Sequence, residues 1–262
     1  GLSTIKSSKM DRWKVFLDKL KNSNKTVKIG LIGKYVELQD SYKSILESLT
    51  HAGVANEVKV KIITIHSESI NDSNLSELLL KLNGIIVAPG FGERGIEGKI
   101  KAIRYSRENH VPFLGICLGM QMAVIEYARN VLKLEDVNST EMKEDCKNPI
   151  ISLMENQKSI VNKGGTMRLG AWDCELLKNS KTEKIYNKKV ISERHRHRYE
   201  LNNKYLDQLN KGDFVPSGIN PETNLVEVVE HKEHPWFIGV QFHPEYSSTV
   251  LAPVSYTHLT LP

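Results

Sequence analysis

A cysteine between two glycines is the first feature of this sequence that could do chemistry. Cys117 stands in a Gly-x-Cys-x-Gly segment, 115–119, after the apolar run 111–116 and before a helical pattern that begins near Leu118. Such a turn from strand to helix strains its central residue and pushes the side chain out at the edge of a sheet. The helix N-terminus favours a thiolate, and backbone N–H groups there can hold an oxyanion. We predict a nucleophile; a small buried cysteine on a turn is the alternative.

A histidine near the end of the chain supplies the proton donor and acceptor that a thiolate acting on an amide needs. His243 ends the apolar run 235–243, Pro244 takes the chain out of the strand, and Glu245 follows within reach of the same imidazole. The long separation from Cys117 excludes a local motif but suits the ends of neighbouring strands. His-Pro-Glu alone is more often a turn than a catalytic pair. Together with the cysteine it predicts a Cys-His-Glu triad.

Apolar runs and helical patterns alternate along the first half of the chain, as in a parallel sheet covered by helices. The strand-like runs are 26–33, 58–65, 84–88 and 111–116. The helical patterns are 41–49, 76–82, 97–109 and 118–130. Later strands, expected to extend or flank the same sheet, are 166–177, 190–201, 224–231 and 235–243. The predicted fold class is α/β, with a mostly parallel central sheet, helices on both faces and ligands at the carboxyl ends of the strands.

Composition places the chain among ordinary globular proteins. Its 262 residues include 36 Lys and Arg against 31 Asp and Glu, and the net charge of +5 is too small and dispersed to indicate nucleic-acid binding. The sequence has no apolar run near the roughly 18 to 20 residues of a membrane span, and no signal peptide. Three widely spaced cysteines argue against a disulfide framework, so Cys146 and Cys174 read as structural. We expect a cytoplasmic protein that binds neither membrane nor nucleic acid.

One large domain, 26–253, is expected. The pattern 11–20 has helical spacing and precedes the polar break 21–25, so residues 1–25 read as the end of a preceding domain and a linker. The last residues, 254–262, continue no period of the fold and are interpreted as a foreign or disordered tail.

Several motifs together resemble one family. The segments GICLGMQ (115–121) and FHPEY (242–246) are shared by class-I glutamine amidotransferases in general. The segments NSTE (138–141), GGTMRLG (164–170) and ERHRHRYE (193–200) narrow the resemblance to the glutamine amidotransferase domain of CTP synthases. The resemblance implies a class-I amidotransferase fold and a thiol glutaminase.

The resemblance also implies roles for individual residues. Cys117 matches the nucleophile, His243 the acid and base, and Glu245 its orienting carboxylate. Free glutamine is a zwitterion, so its site must satisfy one carboxylate and one ammonium. The substrate-binding positions of the family match Gly90, Leu118, Gln121, Glu141 and Arg198. Backbone N–H groups of Gly90 and Leu118 are the implied oxyanion donors.

What lies outside this chain is implied only by the resemblance. In the family, ammonia passes to a synthase domain that uses ATP and Mg²⁺ to convert UTP to CTP; that domain is absent here. The glutaminase domain itself is expected to need no cofactor and no metal. L-glutamine is the implied substrate, GTP the implied activator, and a homo-oligomer the implied state of the full-length enzyme. The alternatives are a noncatalytic regulatory module, which the intact triad disfavours, and a γ-glutamyl hydrolase, which NSTE and ERHRHRYE disfavour.

The segment 193–200 also raises the question of a metal or nucleic-acid site. On a strand its basic residues divide between two faces, His195 and His197 against Arg194, Arg196 and Arg198. A metal set at recognisable spacing and the aromatic residues of a nucleic-acid strip are both missing. We expect one face to serve the pocket or a domain interface and the other to be packed or solvated.

Overall fold

The computed structural model describes residues 10–153 and 167–253. The predicted tail 254–262, the start of the predicted linker at 1–9 and part of the GGTMRLG motif lie outside the described residues.

Helices and strands alternate through the described part of the chain. The helices are α1 (Asp11–Asn22), α2 (Lys43–Ala55), α3 (Leu75–Leu79), α4 (Ile96–Glu108), α5 (Leu118–Asn130), α6 (Lys181–Tyr186) and α7 (Leu206–Lys211). The strands are β1 (Lys25–Gly33), β2 (Val58–His66), β3 (Gly84–Val87), β4 (Phe113–Ile116), β5 (Val137–Ser139), β6 (Asn148–Leu153), β7 (Arg168–Leu176), β8 (Val190–His197), β9 (Tyr199–Leu201), β10 (Phe214–Ile219), β11 (Val226–His231) and β12 (Phe237–Val240).

The central sheet is mixed and largely parallel. Within the described residues it has nine strands in the order β2-β1-β3-β4-β12-β11-β10-β7-β8. The first five are parallel, and the pairs from β12 to β8 are antiparallel. This confirms the predicted α/β class. Because β12 pairs with β4 in the register Val240↔Ile116, Cys117 and Gln241 leave adjacent strand ends together.

A second sheet was not expected from the sequence. It joins β5, β6 and β9. The predicted strand 190–201 is therefore two strands that belong to different sheets, separated at Arg198. Strand β8 alternates between exposed and buried residues as predicted, but Arg198 is not on its arginine face. The alternation of the sequence continues through the change of sheet, so periodicity alone could not locate it.

Apolar side chains form a core on each face of the central sheet. One cluster packs beneath α4 and α5, and the other beneath α2. In α5 every residue from Leu118 to Ala128 is buried. A Cβ on Gly119 would lie 2.3 Å from the Val87 carbonyl oxygen, so this glycine lets α5 approach β3 closely. The start of α5 is thereby fixed against the sheet.

Helix α1 packs against the domain more loosely. Its Phe16 ring contacts His51 of α2 at 6.2 Å between centroids, while Trp13 and Leu17 remain exposed. The described residues include no helix long and apolar enough to cross a membrane.

Candidate active site

Cys117 occupies a sharp turn between β4 and α5. Its φ of 52° and ψ of −103° are strained for a residue with a side chain. The Cys117 N–H donates to the Val240 carbonyl at 2.7 Å, which ties the turn to β12. A Cβ on Gly115 would come within 2.6 Å of the Gly119 backbone, so the turn requires glycine there. The predicted elbow geometry is therefore present, although the thiol is 3% exposed and not on an open surface.

His243 and Glu245 lie immediately after β12, next to this turn. The His243 Nδ1 is 2.8 Å from Glu245 Oε1, and both side chains are buried. Burial opposes protonation of His243, but the neighbouring Cys117 and Glu245 raise its pKa to about 10. The imidazole therefore carries a proton at neutral pH. The structure brings the three predicted triad residues together.

The turn that carries His243 is held by residues that the sequence analysis did not identify. The Tyr246 ring stacks on the His243 ring at 5.3 Å between centroids. The Ser247 hydroxyl donates to Glu193 of β8 at 2.7 Å, and the His243 N–H donates to the Arg194 carbonyl at 2.8 Å. These contacts fix the imidazole against β8. Their positions along the chain gave no local signal.

The loop after β3 places Gly90 beside the thiol. A Cβ on Gly90 would make an ordinary contact with Leu118, 3.6 Å from its Cδ2. The chain's own packing thus does not demand glycine, and a role for its N–H toward substrate stays a prediction. The Lys34 ammonium donates to the carbonyls of Phe91 and Gly92, which fixes the loop from the opposite side.

Glu141 reaches the same loop from the turn that follows β5. Its Oε1 accepts a hydrogen bond from the Gly92 N–H at 2.7 Å. Burial raises the pKa of Tyr199, the charge of Glu141 raises it further, and the charge of Arg198 lowers it. The charges of Glu141 and Arg198 therefore both reach Tyr199, which lies in the small sheet. Arg198 Nε is buried and has no hydrogen-bond partner among the described residues.

Two glutamines connect the thiol to β9. Gln121 of α5 donates from Nε2 to the Tyr199 carbonyl at 2.9 Å and to Gln241 Oε1 at 3.1 Å. Gln241 Nε2 in turn donates to Cys117 Sγ at 3.7 Å. Gln121, predicted as a lining residue, thus supports the backbone beside Arg198. Gln241 was missed, although its place two residues before His243 could have identified it.

A cavity of about 200 Å³ opens beside the triad. Its walls include Tyr35, Tyr42, Phe91, Arg196 and Tyr246 around Cys117, Gly90 and His243. Arg196 lines the site, so the arginine face of β8 is the one that serves the pocket.

The two histidines of β8 are buried on its other face. His195 Nδ1 lies 2.8 Å from His197 Nε2, and burial, with the charge of Arg168, lowers their pKa values to about 2 and about 3. Arg168 itself pairs with Glu227 at 2.7 Å and Glu200 at 3.4 Å. In residues 10–153 and 167–253 no group of three metal-ligating side chains could hold an ion. These residues form a polar packing cluster behind the site.

A mixed α/β sheet with a cysteine elbow and a His-Glu pair on adjacent strand ends defines a triad thiol enzyme of the amidotransferase type. Comparison with known proteins agrees: residues 37–256 match the family Glutamine amidotransferase class-I. The chain belongs to this family, and within it to the glutaminase domains of CTP synthases.

Three relatives support this placement. CTP synthase of Christiangramia forsetii is 64% identical over 93% of this chain and 45% of its own length, and that of Flavobacterium johnsoniae is 62% identical over 97% and 49%. The structure of the Trypanosoma brucei CTPS glutaminase domain with bound acivicin has a TM-score of 0.83 and 38% identity, over 89% of this chain and 92% of that one. The chain spans about half the length of the curated relatives it matches.

Proposed function

We propose that this chain hydrolyses L-glutamine to glutamate and ammonia through Cys117, His243 and Glu245, and that the ammonia is used for CTP synthesis. The observation that carries the proposal is the 2.8 Å contact between His243 and Glu245 next to a cysteine elbow on the adjacent strand end. The intact set supports an enzyme over a noncatalytic module on the same fold.

In the first half-reaction the Cys117 thiolate attacks the side-chain amide carbon. A C–S bond forms, and the carbonyl electron pair moves onto oxygen, where the N–H groups of Gly90 and Leu118 would stabilise it. Removing one donor of this kind commonly costs on the order of 3 kcal/mol. When the C–N bond breaks, protonated His243 gives its proton to the leaving nitrogen, and ammonia departs from a thioester.

The second half-reaction regenerates the thiolate. A water attacks the thioester carbon while His243 accepts its proton, and the C–S bond breaks to release glutamate. Glu245 keeps the imidazole in one orientation through both steps, because its carboxylate holds Nδ1. The net change is glutamine plus water to glutamate plus ammonia.

Substrate placement is assigned to the residues that meet where the two sheets join. The unpaired Arg198 Nε suits the α-carboxylate of glutamine, and the carboxylate of Glu141 suits its α-ammonium. Gln121 and Leu118 would border the methylene chain. Glu141 also holds Gly92, so it would couple substrate binding to the position of the Gly90 loop.

The use of the ammonia belongs to the part of the relatives that this chain does not span. There, ATP and Mg²⁺ would activate UTP, with GTP as activator of the glutaminase. The glutaminase half would need no cofactor of its own. A cytoplasmic location and a homo-oligomer of the whole enzyme remain part of this proposal.

Labelling with a chloroketone analogue of glutamine tests the nucleophile and the substrate class together. We expect one adduct, mapped by peptide mass spectrometry to Cys117, and protection by glutamine. Cys117→Ala should lose both the adduct and ammonia release, whereas Cys146→Ala, at a cysteine away from the triad, should keep both.

The same preparation separates the alternatives. A noncatalytic module would neither label nor release ammonia. A γ-glutamyl hydrolase would release amino acid from a short γ-glutamyl peptide faster than ammonia from glutamine, and that result would overturn the proposal.

A further inference from the structure

A fully buried lysine lies in the first turn of α4. Lys99 is 0% exposed, and its ammonium donates to the Ala88 carbonyl at 2.9 Å. No carboxylate of the described residues forms an ion pair with it. Buried charges are ordinarily paired, because removing them from water is costly. The cost shows in the titration of Lys99: burial, aided by the charge of Lys34, lowers its pKa to about 7.

The lysine points to the site and not to the general core. Ala88 is the first residue after β3, and Pro89 and Gly90 follow it in the chain. A Cβ on Gly90 would lie 3.9 Å from Lys99 Nζ. Two charged or titratable groups act on the ammonium, Lys34 from the end of β1 and Cys117 from the elbow. Of these only Cys117 can be an anion, and it opposes the lowering of the lysine pKa.

We propose that Lys99 is a positioning residue of the glutaminase reaction, which holds the Ala88 carbonyl so that the Gly90 N–H faces the oxyanion and places a positive charge behind the thiolate. The inference rests on the proposed function and adds a residue to its machinery. In a buried, weakly polar site such a charge is screened far less than at the surface. Lys99 need not touch the substrate, because it acts through Gly90 and Cys117.

Lys99→Met tests the proposal. Methionine keeps an unbranched side chain of similar length in an apolar helix position, so the fold should survive while the charge and the donor are lost. Lys101→Met is the matched control, because Lys101 lies on the same helix but points outward to Asp72 at 2.8 Å. Lys99→Gln is the second variant should Lys99→Met fail to fold.

Two readouts are needed. The first is glutamine hydrolysis, for which we expect kcat to fall roughly tenfold or more in Lys99→Met with KM little changed, since an oxyanion forms only in the transition state. The second is the pH profile of Cys117 alkylation by iodoacetamide, which needs no glutamine. We expect this profile to move to higher pH in Lys99→Met and to stay in place in Lys101→Met.

The outcomes separate this inference from the proposed function. A folded Lys99 variant with wild-type kcat and an unmoved alkylation profile overturns the role of Lys99 alone. If the wild type releases no ammonia while the alkylation profile still moves in the variant, the glutaminase proposal fails and the effect of Lys99 on the thiol stands. A loss of kcat with an unmoved profile shows that Lys99 places no positive charge behind the thiolate, and this also overturns the inference as stated.

Discussion

Cys117 is a strained residue held by its neighbours. Its positive φ is unfavourable for any side chain, and such conformations cost of order 1–3 kcal/mol. The hydrogen bond from its N–H to Val240 and the one from the Gln121 N–H to its carbonyl, at 3.2 Å, hold the backbone from both sides.

Substitution at Cys117 should reveal that strain. Cys117→Ala and Cys117→Gly should both abolish ammonia release while remaining folded. Because glycine accepts a positive φ without strain, Cys117→Gly should be more stable than Cys117→Ala by about 1 kcal/mol. Urea unfolding of the two variants measures the difference. Equal stability, or greater stability of the alanine variant, would contradict a strained elbow.

Lys99 should lower the free energy of unfolding at neutral pH, because its position beside the site is buried. Its folded pKa of about 7 lies below the ordinary 10.5, so between these values the unfolded chain binds more protons than the folded one and stability rises with pH. The loss of stability caused by Lys99 is greatest at or below pH 7. It disappears above 10.5, the pKa of this lysine in the unfolded chain.

Lys99→Met should therefore unfold at a higher temperature than the wild type at neutral pH. The gap between their thermal midpoints should narrow toward about pH 9.5, because in this range Lys99 has lost its proton in the folded chain but keeps it in the unfolded one, so the wild type gains stability as the pH rises. Lys101→Met, measured alongside, should show no such trend. A gap that is the same at both pH values would argue against the lowered pKa.

At the scale of elements, the site depends on the point where the chain passes from the central sheet to the small sheet. The sequence pattern does not predict this point. Strand β8 ends at His197 in the central sheet, and β9 begins at Tyr199 in the small one. Arg198 lies between them and is half-buried. A continuous strand would have left Arg198 on the exposed face with Arg194.

The sequence predicted the repeating βα units and the elbow because both leave local patterns, apolar runs of strand length and glycines around a cysteine. It missed β5, whose three residues are too few to show a period of two, and it also missed β6 and β10. It also missed Gln241, Lys99 and Glu193. The importance of Lys99 and Glu193 arises from contacts between distant segments, and no spacing along the chain records such contacts.

The change of sheet makes Arg198 a test of substrate placement. Arg198→Ala should raise KM for glutamine tenfold or more, since a charge-assisted hydrogen bond is worth about 1.5 to 3 kcal/mol. Alkylation of Cys117 by a small reagent should be nearly unchanged, because Arg198 does not hold the thiol. Arg194→Ala, at an exposed side chain of β8, is the control. Equal loss in both assays would show that Arg198 supports the fold.

At the scale of the whole molecule, Cys117 and the His243–Glu245 pair come together because β12 lies next to β4. The two strands are far apart in sequence but paired in parallel, so the segments after them, Cys117 and Gln241 to Glu245, leave the sheet at the same edge. The antiparallel strands on the other side of β12 continue the sheet to β8, whose Arg194 carbonyl receives the His243 N–H. Sheet order thus positions both ends of the catalytic pair.

If the chain acts as proposed, ammonia is liberated in this part of the protein and used in another. Every triad residue lies within this chain, while the relatives it matches are about twice as long. If the thiol serves only to liberate ammonia, the remainder of such an enzyme should not need it once ammonia is supplied directly.

We therefore expect a clear split in a protein that joins this chain to a synthase half and carries Cys117→Ala. It should lose CTP formation from glutamine. It should keep CTP formation from ammonium chloride at a rate close to that of the wild type. Following CTP by absorbance with each nitrogen source measures both activities in one preparation, and Cys146→Ala should keep both. Loss of the ammonia-dependent activity in Cys117→Ala would mean that the elbow supports the joined structure itself, because a residue needed only for hydrolysis cannot affect a reaction that begins with free ammonia.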